Sequence, residues 1–259
     1  WESAPSASGP WTPIGVAQPT PFLEVTATTT LHYRCAVACS GNTQYSASVQ
    51  VVVTPMLGGG TYTINAAQPT NGTNFNSFTD AVAALSCGIS GPVVFNVVAN
   101  SGPYTEQIVI PEVRGASAVN TVTFNGNGNT IQFNSTSNTD RHVIKLNGAD
   151  HIIFDSLVVD ASTGTYGFGF HFMNDADSNT IRKCVIHANT TTSSTNFAGI
   201  VMSASASSAT GTGNTFCDGN LIIANTVSGG YYGITLVGST TNLMFNNKVV
   251  NNTVVDFYS

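Results

Sequence analysis

The chain has 259 residues, a formal net charge of −6 and only 8% charged residues, while 42% of its residues are apolar; an average soluble protein is roughly 25% charged, and this apolar content is too high for disorder. The seven Lys and Arg are scattered, which excludes a nucleic-acid binder built on clustered cations, and no run of about 18 apolar residues offers a membrane span. Val, Ile and Thr outnumber Leu, which excludes a helical bundle, a coiled coil and a helix-sheet α/β fold and leaves an all-β protein.

The first predicted elements are strands. Residues 31–38 alternate, Ser40-Gly41-Asn42-Thr43 turns, and residues 46–53 alternate again, the pattern of a hairpin. Thr54-Pro55-Met56-Leu57-Gly58-Gly59-Gly60 then punctuates the chain. This predicts a first domain over 1–55, a linker over 56–60 and a second domain over 61–259. The residues Trp1-Glu2-Ser3, Trp11-Thr12-Pro13-Ile14, Tyr33-Arg34-Cys35 and Ser48-Val49-Gln50-Val51-Val52-Val53 resemble the back half of an immunoglobulin-like repeat from very large surface proteins of the Bacteroidota. The resemblance implies a partial β-sandwich, with Trp1 as the core Trp of a central strand and Cys35 facing a cysteine upstream of this window.

After the linker comes one helical candidate, about 77–87. Ser77 is placed to cap it with Asp80 three residues on, Phe78, Ala81, Val82 and Leu85 form an apolar stripe, and Gly88 sits at the C-terminal cap. Such a helix would plug the near end of the second domain. Glu106, in Tyr104-Thr105-Glu106, is read as ordering the first coils.

The rest of the chain is repetitive. The stretch from Ala149-Asp150 aligns with that from Ala176-Asp177 at a shift of 27, and the stretch from Asn220-Leu221 aligns with that from Asn247-Lys248 at the same shift. Between these pairs the shift widens to about 35, attributed to an inserted loop at 203–213. Repeats of this length with three short strands and no helix predict a right-handed parallel β-helix. Ile144, Phe170, Ile200 and Ile234 would stack as one interior column, with Leu146, Phe172, Met202 and Leu236 as the next. Asn225 and Asn252 would stack their amides from coil to coil. Residues 102–111 and 115–124 look like the opening coils of secreted Bacteroidota β-helix proteins of pectate-lyase-like architecture exported by the type IX route, and residues 75–85 resemble their capping helix. That family usually carries a C-terminal sorting domain, which this window lacks. The sequence starts without Met and stops inside the alternating Val254-Val255-Asp256-Phe257, which reads as an internal window of a longer chain or a processed product, with the β-helix incomplete at its C-terminus.

Five cysteines, Cys35, Cys39, Cys87, Cys184 and Cys217, form no Cys-x-x-Cys pair, so no zinc ribbon or redox motif is indicated. Their odd number fits a lost disulfide partner and fits free buried thiols equally. The Thr/Ser/Asn/Gly-rich composition suits a secreted, extracellular or cell-surface location. Asp155-Ser156-Leu157 resembles the Bacteroidota O-glycosylation motif, and four Asn-x-Ser/Thr sequons match chance in so Asn/Thr-rich a chain.

Few residues carry chemistry. Asp150 and Asp177 stack at the 27-residue shift and form the one candidate metal pair, for Ca²⁺, which takes oxygen ligands; otherwise both sit at solvated turns and no cofactor is required. Asp155 stacks on Arg182 and Asp160 on His187, first of all as cross-strand pairs. If the protein is an enzyme, Asp155, Asp160 and His187 are the catalytic candidates. Lys145 and His171 share an outward strip with Val201 and Thr235, read as a solvated strand face. The first functional reading is therefore a non-catalytic segment of a large secreted cell-surface protein, an adhesin or a structural stalk, with glycans or other surface proteins as partners. The alternatives are a polysaccharide-active β-helix enzyme (lyase or glycoside hydrolase), and a cargo protein captured with the type IX export machinery, whose components would then be its partners.

Overall fold

Ile144, Phe170, Ile200 and Ile234 pair in register on adjacent parallel strands, and Leu146, Phe172, Met202 and Leu236 do the same two residues on. The two columns predicted from the repeat are thus single stacks in space, and the fold around them is a right-handed β-helix of about seven coils. The computed structural model describes residues 1–259, in two units, Trp1–Pro55 and Met56–Ser259.

In the first unit, strands Thr12–Pro13, Glu2–Ala4, Leu31–Arg34 and Val49–Val51 form one antiparallel sheet in that order. Ala36–Cys39 and Asn42–Tyr45 form a separate two-stranded ribbon around Ser40 and Gly41. The unit therefore holds six strands, fewer than the seven of a complete immunoglobulin-like sandwich. Trp1 is half-buried rather than a core residue, and it lines an open apolar groove with Phe22, Leu23 and Val25. Arg34 ties the sheet together. Its guanidinium lies 4.1 Å from the Trp11 ring centre and 3.8 Å from that of Tyr45, and reaches Glu2 at 2.7 Å.

The second unit is built from three parallel sheets of eight, six and five strands. Each coil contributes one strand to each sheet, so alternate side chains point inward and meet their counterparts one coil away. Phe95, Phe124 and Phe154 stack at 5.0 Å between neighbouring ring centres, and Phe170 meets Phe154 edge-on at 5.3 Å. One column position has no room for a side chain: a Cβ on Gly199 would collide with Val227 and with the carbonyl of Gly233.

Helix α1 (Phe78–Ala84) lies at the N-terminal end of this core. The Ser77 hydroxyl accepts the Asp80 N–H at 3.0 Å, as its spacing predicts. The Asp80 carboxylate does not complete a capping box but accepts from Thr70. Instead Glu106 accepts the N–H groups of Phe78 and Thr79 at 3.1 and 2.7 Å and the Thr79 hydroxyl at 2.6 Å. A carboxylate at a helix N-terminus satisfies free donors and complements the dipole, so Glu106 orders the cap against the first coils.

The turns stack as tightly as the strands. Asn179, Asn220 and Asn247 form one ladder, in which each amide donates to the next oxygen and to a backbone carbonyl of the coil behind. Asn225 and Asn252 form a second, 2.9 Å apart. The step between coils is 27 residues on either side of the inserted loops but 41 across them, not about 35. The chain is lengthened mainly after Phe197–Met202, and also, by less, between Val185–Ala188 and Phe197–Met202. Asn220 is buried, and its oxygen accepts both the Asn179 N–H and the Asn179 amide at 2.9 and 3.1 Å. Replacing it with alanine orphans a buried N–H and at least one carbonyl, each costing about 1–3 kcal/mol. Asn220→Ala is expected to lower unfolding free energy in urea by about 3 kcal/mol, whereas a loss below about 1 kcal/mol would show that the ladder is replaceable by water.

Candidate functional site

Three groups of outward-facing residues stand out. The first lies on the five-stranded sheet, where Lys145, His171, Val201 and Thr235 share one row. The expectation of a solvated face is corrected here: Lys145, His171 and Val201 are all buried. The cause is the loop at 203–213, which folds back over the sheet. Ala209 packs with Phe168, Ala198 and Val201, and its carbonyl accepts from the Thr235 hydroxyl at 3.0 Å. Arg141 lies over the rings of Tyr166 and Phe168, at 4.5 and 5.5 Å.

Beneath this cover two histidines lack partners. The Ser203 hydroxyl donates to the Ser208 carbonyl at 2.8 Å, so the 3.3 Å contact with His171 Nε2 is a bond donated by the imidazole. His171 Nδ1 is then left unpaired, as are both ring nitrogens of His142. Burial, with Lys145 beside them, pushes each imidazole down to about 3. Lys145 itself has Asp140 at 3.7 Å.

The second group is an acidic ladder at one turn. Asp150 and Asp177 stand one coil apart, as their spacing predicts, and Asp218 joins them. Asp150 accepts the Asp177 N–H at 2.8 Å, Asp177 the Asp218 N–H at 2.6 Å, and Asp218 the Phe245 N–H at 2.5 Å. Burial raises the carboxyl of Asp150 and pushes that of Asp177 up to about 6, with neighbouring acids adding to both shifts. The three carboxylates therefore serve as backbone acceptors in sequence, rather than closing around one point.

The third group spans two sheets. Asp155 meets Arg182 at 2.6 Å; burial works against its charge, but the hydrogen bonds from Ser156 and Arg182 win and hold the carboxyl below its ordinary range. Asp160 and His187 occupy one register, but their side chains part. Asp160 accepts the Ser162 N–H at 2.9 Å, and His187 Nδ1 lies 2.9 Å from the Ser228 hydroxyl. Asp160, His187 and Ser228 thus form a row on three successive coils in which only the last two touch.

The sequence reading missed His142, Asp218 and Ser228. Asp218 had a signal: it precedes the core residue Ile222 by four, as Asp177 precedes Ile181 and Asp150 precedes Phe154. Nothing local marks His142. The thiols of Cys184 and Cys217 are buried, unpaired, pushed up to about 12 by burial, and donate to backbone carbonyls. No three His, Cys, Asp or Glu side chains converge as a metal-ligating group, and no helix is long and apolar enough to cross a membrane.

A family model described as periplasmic copper-binding protein (NosD) matches residues 100–259, more than half of the chain. No curated protein and no solved structure matches it.

Proposed function

The chain belongs to the NosD family, and from that membership we propose that it is a non-catalytic module working outside the cytoplasm, a segment of a large secreted surface protein that acts as an adhesin or a stalk. The observation that carries this reading is the engagement of its candidate acids. Asp155 is held by Arg182, Asp160 by its own turn, and Asp150 and Asp177 by the backbone of the next coil. Hydrolysis by paired carboxylates needs one as acid and the other free as base or nucleophile, and these are committed to the scaffold. The Bacteroidota resemblance and the type IX export route belong to the same proposal, as do glycans or surface proteins as partners. The test is to add the full chain to glycan arrays and cultured cells, and in parallel to pectin and alginate. Saturable binding without turnover supports the proposal; turnover of a polysaccharide that Asp155→Ala or Asp160→Ala abolishes establishes the enzyme reading instead.

The family description names copper, and the donors of this chain do not fit it. Copper sites use imidazole and soft sulfur ligands. Here the only two buried imidazoles with free nitrogens stand near Lys145 and Arg141, whose charges oppose a cation. The buried thiols are held protonated inside the core. The full chain, loaded with copper under reducing and oxidising conditions and then dialysed, is expected to retain no stoichiometric metal by mass spectrometry. One firmly held equivalent would overturn this assignment.

A further inference from the structure

One concave surface lies apart from all three groups of candidate residues. It is an open cleft of about 470 Å³, walled on one side by Thr190, Thr191, Thr192 and Ser193 and on the other by Asp256, Phe257 and Tyr258. The hydroxyl wall is rigid. Asn189 accepts the Thr191 N–H and hydroxyl at 2.8 and 3.0 Å, its amide is fixed to the Ser162 carbonyl at 2.8 Å, and Thr192 accepts the Ser194 N–H at 3.2 Å. The aromatic wall is anchored by backbone bonds from Tyr258 to Gly230 and from Ser259 to Tyr231, at 3.0 and 2.9 Å. Tyr231 packs against Tyr258 with 5.2 Å between ring centres. Even so, Tyr258 is 66% and Phe257 45% exposed. Aromatic surface left in water beside a concavity is a recurrent mark of a binding site.

The chemistry of the two walls selects the ligand. An apolar ring face beside hydroxyls and a carboxylate outside any ion pair matches a molecule with flat C–H faces and hydroxyl edges. No Lys or Arg lines the cleft, Asp256 is negative, and the chain carries −6 overall, so an acidic ligand would be repelled. A peptide strand would need free backbone donors, and the N–H groups of Gly230, Tyr258 and Ser259 are already spent. We propose that this cleft binds a neutral saccharide: its ring stacks on Tyr258 or Phe257, Asp256 accepts from neighbouring hydroxyls, and Thr190 and Ser193 complete the contact. This deepens the surface-binding reading and rests on it.

Calorimetry of the full chain with neutral oligosaccharides and with uronic-acid oligosaccharides tests the proposal. Neutral sugars are expected to bind and uronates not, with Tyr258→Ala and Asp256→Asn each weakening binding at least tenfold and Ser193→Ala a few-fold, at unchanged Tm. Binding of uronates in preference, or neutral binding untouched by the unchanged-Tm variants, would overturn the cleft as the site. Adhesion to cells with no saccharide bound would also overturn it while leaving the surface-binding reading standing; absence of both removes the two together. Should Tyr258→Ala lower Tm, Asp256→Asn decides, because its side chain makes no internal ion pair.

Discussion

Lowering the pH from 6.5 to 4.5 is expected to cost the solenoid stability, and His171→Phe to restore a large part of it. His142 and His171 are held near 3 in the folded chain, against 6.5 ordinarily. Their folded pKa values are depressed, so the unfolded chain binds protons that the folded chain refuses. The stabilisation is complete above 6.5, begins to fall as pH drops below it, and is exhausted only below about 3. At pH 4.5 the two groups together amount to on the order of 5 kcal/mol, from about 1.36 kcal/mol per pH unit per group. Asp177, raised to about 6, acts in the opposite sense: its contribution is present below its ordinary value and fades as pH rises through 6, so it offsets part of the loss. Lys145, Arg141 and Asp140 keep their charges across this range and do not set the slope. Phenylalanine at 171 removes an unpaired Nδ1 and gives up one 3.3 Å contact to Ser203, whose hydroxyl keeps Ser208. Stability at pH 7 should then be equal or higher, because an apolar group of similar shape carries no desolvation cost. Urea midpoints at pH 7 and 4.5, for both proteins, are the measurement. An unchanged pH difference in the variant would show that His171 is not held neutral by its burial.

The second large effect is expected at Phe124. The ring is fully buried, stacked between Phe95 and Phe154 at 5.0 Å each, with Phe78 of α1 at 6.2 Å. Phe124→Ala removes the side chain that joins the cap to the column on both sides, and coils above and below are hydrogen-bonded too firmly to close the gap. A loss of about 3–5 kcal/mol is expected, the usual range for a buried phenylalanine. Val119, 81% exposed, supplies the control: Val119→Ala should stay within about 0.5 kcal/mol. Calorimetric unfolding of both variants checks the pair. Equal effects at the two positions would mean that the aromatic column does not hold the N-terminal coils.

The stacked columns, the Asn ladder and the Asp155–Arg182 pair were all legible in the residues, for one reason. In a parallel coil each position meets its own counterpart in the next repeat, so a constant offset along the chain becomes a contact in space. The same logic placed Asp150 on Asp177 and put Asp160 in register with His187. It stopped short of the side chains' choices. His187 turns to Ser228 and Asp160 to Ser162, because hydrogen-bond geometry, not register, decides where a ring or carboxylate points.

The insertions were beyond reach for a different reason. The loop at 203–213 has no period to read, yet it turns an outward row into a buried compartment and moves two histidines out of water. The saccharide cleft joins residues 190–193 to 256–258, more than sixty positions apart, through a turn whose closure depends on Asn189 and Gly230. By itself the sequence determined the coil, its interior and its turn ladders, since these follow from repetition and alternation. Only the tertiary structure decided which polar groups are dry and which stand together, since that depends on what non-repeating loops come to cover.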